Sequence, residues 1–121
     1  MTWVVVAAGG AIGSMLRHFV NIIVARWGSP VPYATGLVNI VGCLVIGSLA
    51  GFVAGGRIHM SESARAFVFV GILGGFTTFS SFGLDTLTLV HGGRTLTAAA
   101  NVIGQVGVGL LFAFIGYALT V

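Results

Sequence analysis

Four groups of residues in this chain combine types and spacings that can do chemistry. Arg17 lies inside an apolar run and is followed by His18. Thr35 and Asn39 are spaced i, i+4, as are Asn101 and Gln105, so each pair shares one face of a helix. The run Gly74-Gly75-Phe76-Thr77-Thr78-Phe79-Ser80-Ser81-Phe82 puts two glycines and four hydroxyls at the centre of a hydrophobic stretch. Guanidinium, amide and hydroxyl groups of this kind donate hydrogen bonds, so they can hold an anion or tie helices together. They do not make or break covalent bonds here. No Ser/His/Asp or Cys/His grouping and no phosphate loop after a strand is present, and His18, His59 and His91 have no metal-site spacing. The two acidic residues, Glu62 and Asp85, form no membrane-embedded carboxylate pair that would relay protons. The chain is not expected to be an enzyme.

Each group supports a functional and a structural reading. Arg17 costs about 2.5–3.5 kcal/mol to place at membrane depth on insertion scales. It therefore snorkels to the interface, pairs within the protein, or faces an anion vestibule. Asn39 must find a partner away from water. It is either interhelical glue or an anion-coordinating donor. Asn101 and Gln105 either cross-link helices or line a path. In the 74–82 run, glycine is a weak helix former and Ser/Thr compete for backbone groups, so the helix is expected to break. Broken backbone survives at membrane depth only where protein or an aqueous cavity satisfies it. Freed carbonyls can bind a cation, and freed N–H groups or hydroxyls an anion. Phe76, Phe79 and Phe82 recur every third residue. Such a stripe packs, or it presents the positive ring edge to a small anion.

These residues must be positioned by membrane-spanning helices. Of 121 residues, 57% are hydrophobic and 6% are charged, with five arginines and no lysine, and the mean hydropathy is +1.12. So few charges cannot cover a water-soluble surface. A spanning helix needs about 20 mainly apolar residues. Four such stretches fit: about Trp3 to Ala25, Tyr33 to Gly55, Arg65 to Val90, and Thr97 to Thr120. The connections are then Arg26 to Pro32, Gly56 to Ala64 and His91 to Leu96, which leaves one four-helix membrane domain over residues 1–121. The strands of a membrane barrel would alternate apolar and polar residues, and these segments do not. A cleavable signal carries its basic residues before the apolar region, whereas here the first arginine, Arg17, comes after more than a dozen residues. Cys43 lies mid-span with no second cysteine to pair with and reads as a small core residue. The pI near 10.0 comes from the arginine surplus. With no basic run or basic-aromatic patch, it does not point to nucleic acid.

Orientation is balanced. The side holding both termini and the second connection carries Arg57 and Arg65, and the opposite side carries Arg26 and Arg94. Cytoplasmic loops normally hold the Lys/Arg excess. A chain with no excess can insert both ways and form an antiparallel dimer, recreating an inverted repeat. Either that holds, or one span boundary or one dominant arginine breaks the tie. The GxxxG pairs Gly9/Gly13, Gly47/Gly51, Gly51/Gly55 and Gly71/Gly75 support close helix packing and say nothing of cargo.

Three motifs in order resemble one family. The 74–82 run resembles the GGxTTFSTF signature of the bacterial fluoride channels, the Fluc or CrcB-like family. Gly9-Gly10-Ala11-Ile12-Gly13-Ser14-Met15-Leu16-Arg17 resembles its GGxxGAxxR motif, and Thr35-Gly36-Leu37-Val38-Asn39-Ile40-Val41-Gly42 its TLxVNxxG motif. The resemblance covers essentially the whole chain. It implies a fluoride-selective channel of the bacterial inner (plasma) membrane that lets F⁻ leave the cytoplasm passively and so confers fluoride resistance. It implies an all-α architecture of four transmembrane helices, the third broken at mid-membrane, in an antiparallel dual-topology homodimer with two pores. It implies a structural Na⁺ at the dimer centre, held by backbone carbonyls that map to Gly74 and Thr77. Phe79 and Phe82 match the pore phenylalanines, Asn39 the pore asparagine, Thr35 and Ser80 polar pore positions, and Arg17 the vestibule arginine. Ser81 stands where the signature has threonine, and His18 where an aromatic tyrosine is expected. A Tyr/Ser track of the fourth helix maps to Asn101, Gln105 and Gly109, polar but chemically different. That departure leaves open a non-conducting chain or one that works only as a heterodimer with a related chain. A small multidrug-type exporter is the more distant rival. It needs a carboxylate in the first helix, and Trp3 to Ala25 contains none.

Overall fold

The structure, a computed structural model, describes residues 1–29 and 32–121. Among these the regular structure is helical, with four helices long and apolar enough to cross a membrane: Thr2–Ala25, Tyr33–Ala54, Glu62–His91 and Thr95–Thr120. The first connection, expected over Arg26 to Pro32, includes Pro30 and Val31, which lie outside the described residues.

The third and fourth spans start earlier than hydropathy suggests. The third begins at Glu62, because the Ser61 hydroxyl caps it by accepting from the Ala64 N–H at 3.2 Å, with Glu62 in the positive first turn. Glu62 is therefore helical and not in a loop. His91 likewise ends the third span, its Nδ1 lying 2.9 Å from the Leu87 carbonyl. The fourth span begins at Thr95. The first three spans each lead out through a left-handed glycine, Gly28, Gly56 and Gly93, at φ of 65°, 70° and 74°.

Two spans are locally widened, with π-type hydrogen bonding over Ala66–Leu73 and Gly104–Val108. The third is broken outright at Thr77 and Thr78, whose backbones are extended. The break lets one span serve two neighbours. Its N-terminal half packs on the first span, and its C-terminal half packs on the start of the fourth. The second span packs along the end of the fourth.

Glycine sets these contacts. A Cβ on Gly9 would lie 3.0 Å from the Gly71 Cα, and one on Gly75 would lie 2.7 Å from the Gly10 carbonyl oxygen. The first and third spans therefore meet backbone to backbone. Gly47 and Gly51 do the same against Ala113 and Tyr117 of the fourth. Little of the apolar surface is covered. Only 11% of the first span's apolar window and 22% of the second's is buried. The rest must face lipid or another chain.

Candidate functional site

The break in the third span is the centre of the site. Gly74–Phe76 stays helical, Thr77 and Thr78 are extended, and a new helix starts at Phe79. Thr78 caps it: its hydroxyl accepts from the Ser81 N–H at 3.1 Å and donates to Ser81 Oγ at 3.1 Å. Ser80 Oγ is 3.2 Å from the same hydroxyl. Three hydroxyls thus cluster on one turn. Thr78 is 8% exposed, so its cap stands inside the protein.

Asn39 of the second span closes the break. Its Oδ1 accepts from the Thr78 N–H at 2.8 Å, and its Nδ2 donates to the Thr78 carbonyl at 3.0 Å. The second Nδ2 hydrogen goes to Gln105 Oε1 at 2.8 Å. Both amide donors of Asn39 are thereby engaged within the chain. The path continues through the fourth span. Gln105 Nε2 donates to Asn101 Oδ1 at 2.8 Å, and Asn101 Nδ2 donates to Thr86 Oγ1 at 3.0 Å. An amide nitrogen has two hydrogens. Gln105 and Asn101 each use one in this path and keep one free to donate.

Two carbonyls are released by the same rearrangement. In an unbroken helix the Thr78 N–H would bond to Gly74 and the Ser81 N–H to Thr77. Instead they go to Asn39 and to the Thr78 hydroxyl. Thr77 turns its own N–H (3.0 Å) and hydroxyl (2.8 Å) back to the Leu73 carbonyl. Neutral carbonyl oxygens are hard donors, suited to Na⁺ rather than to a transition metal. No cluster of three His, Cys, Asp or Glu able to hold a metal exists among the described residues. The donor set at Gly74 and Thr77 therefore fits the Na⁺ expected from the motif.

A cavity of about 400 Å³ opens over the break, lined by Asn39, Thr77, Thr78, Phe79, Phe82 and Gln105 among others. A second cavity, of about 530 Å³, is lined by Tyr33, Gly36, Asn101 and Gln105 among others. Gln105 belongs to both walls. The rings of Phe79 and Phe82 lie 5.3 Å apart, tilted by 38°. Phe79 is 82% exposed, so its ring has little cover from its own chain beyond Phe82.

The structure therefore brings together Asn39, Phe79, Phe82, Gln105, Gly74 and Thr77 at one cavity and Asn101 at the next. Ser80 and Ser81 join through the Thr78 hydroxyl. Thr35 is 8% exposed and lines neither cavity. Arg17 is half-buried in the first span, outside both walls. Two contacts were not anticipated from the sequence, the Thr78 cap and the Thr86 hydroxyl. Thr78 carried a usable signal, a hydroxyl residue directly before a helix start. Thr86 carried none, because its partner Asn101 is met only through the fold. Asp85, one turn past the run, has a buried Oδ2 with no hydrogen-bond partner among the described residues.

Comparison with known proteins gives one answer. The family model described as CrcB-like protein, Camphor Resistance (CrcB), matches residues 4–117. A protein of Methylobacillus flagellatus named fluoride-specific ion channel FluC is 46% identical, covering 94% of this chain and 90% of the relative. A protein of the same name from Rhodopseudomonas palustris is 43% identical, covering 98% and 96%. One from Rhizobium meliloti is 41% identical, covering 94% and 91%.

Proposed function

Since the chain belongs to the CrcB-like family, we propose that it is a fluoride-specific ion channel and that ions pass beside the break in its third span. Its work is ion passage, with no bond made or broken. The observation that carries the reading is the cavity at the break, where the tilted Phe79–Phe82 pair stands beside Asn39 and Gln105. Fluoride is small and tightly hydrated, so a pore must replace its water with short, well-placed donors. The spare amide hydrogens of Gln105 and Asn101, the hydroxyls of Ser80 and Ser81, and the positive ring edges of Phe79 and Phe82 are groups of that kind. Thr35 lies one turn before Asn39 on the same face of the second span. Arg17 draws anions toward the pore from the first span.

The pore is completed by a second copy. Phe79 stands 82% exposed in one chain, and the four arginines other than Arg17 divide two against two across the membrane. Both features suit an antiparallel homodimer in the inner membrane, in which each copy covers the other's break. Na⁺ held by the Gly74 and Thr77 carbonyls would join the two breaks and add fixed positive potential in a low dielectric. Export is passive. Neutral HF crosses lipid from acid surroundings and dissociates in the near-neutral cytoplasm, and the resulting F⁻ gradient drives the ion out.

The test is efflux from liposomes that contain only this purified chain, followed with a fluoride electrode in the presence of a potassium ionophore. Fast fluoride loss without chloride loss is expected. Equal loss of both ions, or no fluoride loss from a well-folded dimer, would overturn the reading.

A further inference from the structure

Thr86 sits outside both cavities, yet it terminates the hydrogen-bond path that runs through the site. Its hydroxyl accepts from Asn101 Nδ2 at 3.0 Å and donates to the Phe82 carbonyl at 2.8 Å. From Asn101 the path returns through Gln105 and Asn39 to the Thr78 N–H. Both ends are therefore backbone groups of one segment, 78–82, and the path is a ring closed through the second and fourth spans.

The ring has one sense. Amide nitrogen and oxygen are told apart only by their hydrogen bonds, and here the ends decide. The Phe82 carbonyl can only accept, so the Thr86 hydroxyl donates to it and offers its lone pair to Asn101 Nδ2. Asn101 must then present Oδ1 to Gln105 Nε2, and Gln105 must present Oε1 to Asn39 Nδ2. Asn39 is left with Oδ1 facing the Thr78 N–H, which can only donate. Turning any one amide over sets two donors or two acceptors against each other at the next link. Deleting the Thr86 hydroxyl leaves the Asn101 Nδ2 hydrogen without its acceptor and opens the ring at the Phe82 end, while the Thr78 end stays tied to Asn39.

We propose that Thr86 is a positioning residue for fluoride passage. Through Asn101, Gln105 and Asn39 it fixes the backbone at both ends of the 78–82 segment, and so the placement of Phe79 and Phe82. This inference rests on the channel reading given above.

The experiment compares fluoride efflux from liposomes for the wild type, Thr86→Val, Thr86→Ser, Gln105→Met and the double variant Thr86→Val with Gln105→Met. Thr86→Val keeps the side-chain shape and loses the hydroxyl, and it should slow fluoride loss about tenfold, the scale of one hydrogen bond in a coupled path. Thr86→Ser restores the hydroxyl and should conduct at the wild-type rate. Gln105→Met cuts the ring beside Asn39, so adding Thr86→Val to it should slow efflux no further. A Thr86→Val rate equal to wild type would overturn the proposal. So would a Thr86→Ser rate as low as Thr86→Val, or losses that multiply in the double variant. If Thr86→Val does not purify as folded protein, Thr86→Ala is read by the same outcomes. A wild type without fluoride efflux overturns the channel reading and this inference together, whereas a conducting wild type with an unaffected Thr86→Val overturns this inference alone.

Discussion

Asn39 and Thr78, 39 positions apart, pair as two peptide groups do in a sheet: N–H to Oδ1 at 2.8 Å and Nδ2 to carbonyl at 3.0 Å. The side chain of one span supplies the backbone partner that the broken span has lost. Asn39→Asp keeps the acceptor for the Thr78 N–H but sets a second carboxylate oxygen against the Thr78 carbonyl and Gln105 Oε1. Opposed acceptors in a half-buried site cost about 2–3 kcal/mol. Fluoride efflux from Asn39→Asp liposomes should fall about a hundredfold or more, with the protein still eluting as a folded species. Wild-type flux in this variant would mean that the pairing has no part in conduction.

Phe79 and Phe82 allow ring chemistry to be separated from packing. Phe79 is 82% exposed within its own chain, so replacing it removes little protomer packing. Phe79→Ile and Phe82→Ile should each slow fluoride efflux about tenfold, because an aliphatic side chain has no positive edge. Their thermal unfolding in detergent should part company, with Phe79→Ile close to wild type and Phe82→Ile lower. Normal efflux in both variants would leave the pair with a packing role only.

Much of this was legible in the sequence. Apolar runs of about twenty residues located the four spans, and the glycine-hydroxyl run located the break. Within that run the sequence did not separate the glycines from the hydroxyls. Gly74 and Gly75 look like the weak point but remain helical. Gly75 is small for another reason, since the first span lies against it at Gly10. The backbone opens at Thr77 and Thr78, where a capping hydroxyl and a distant amide replace helical bonds. The pairing of Asn39 with Gln105, 66 positions apart, and the role of Thr86 depend on how the spans dock, which no local pattern encodes. The early start of the third span turned on one serine cap that hydropathy does not register.

Adjacent glycines of the first span should respond oppositely to the same substitution. A Cβ on Gly9 would lie 2.5 Å from the Phe67 carbonyl oxygen, whereas one on Gly10 meets nothing within 4 Å. Gly9→Ala therefore forces two backbones apart and should cost about 1–3 kcal/mol. That would show as a lower unfolding temperature and reduced yield. Gly10→Ala should leave both unchanged in the monomeric state. Equal effects at the two positions would show that the first and third spans do not pack at this register.

The carbonyls of Gly74 and Thr77 give a prediction that needs no transport. If Na⁺ binds there in the folded protein and not in the unfolded chain, it stabilises by mass action, by about 2.7 kcal/mol at a hundred times its dissociation constant. The unfolding temperature in detergent should then climb with Na⁺. It should stay low when Na⁺ is replaced at equal ionic strength by N-methylglucamine, a cation too large for a carbonyl cage. Choline serves as a second large cation to separate site binding from screening, which depends on ionic strength alone. Thr77→Val removes the hydroxyl that bonds to the Leu73 carbonyl but keeps the backbone oxygen. It should therefore lower the baseline stability while preserving the Na⁺ increment. Identical unfolding temperatures in Na⁺, N-methylglucamine and choline would remove the cation from these carbonyls and leave the break held by Asn39 and Thr78 alone.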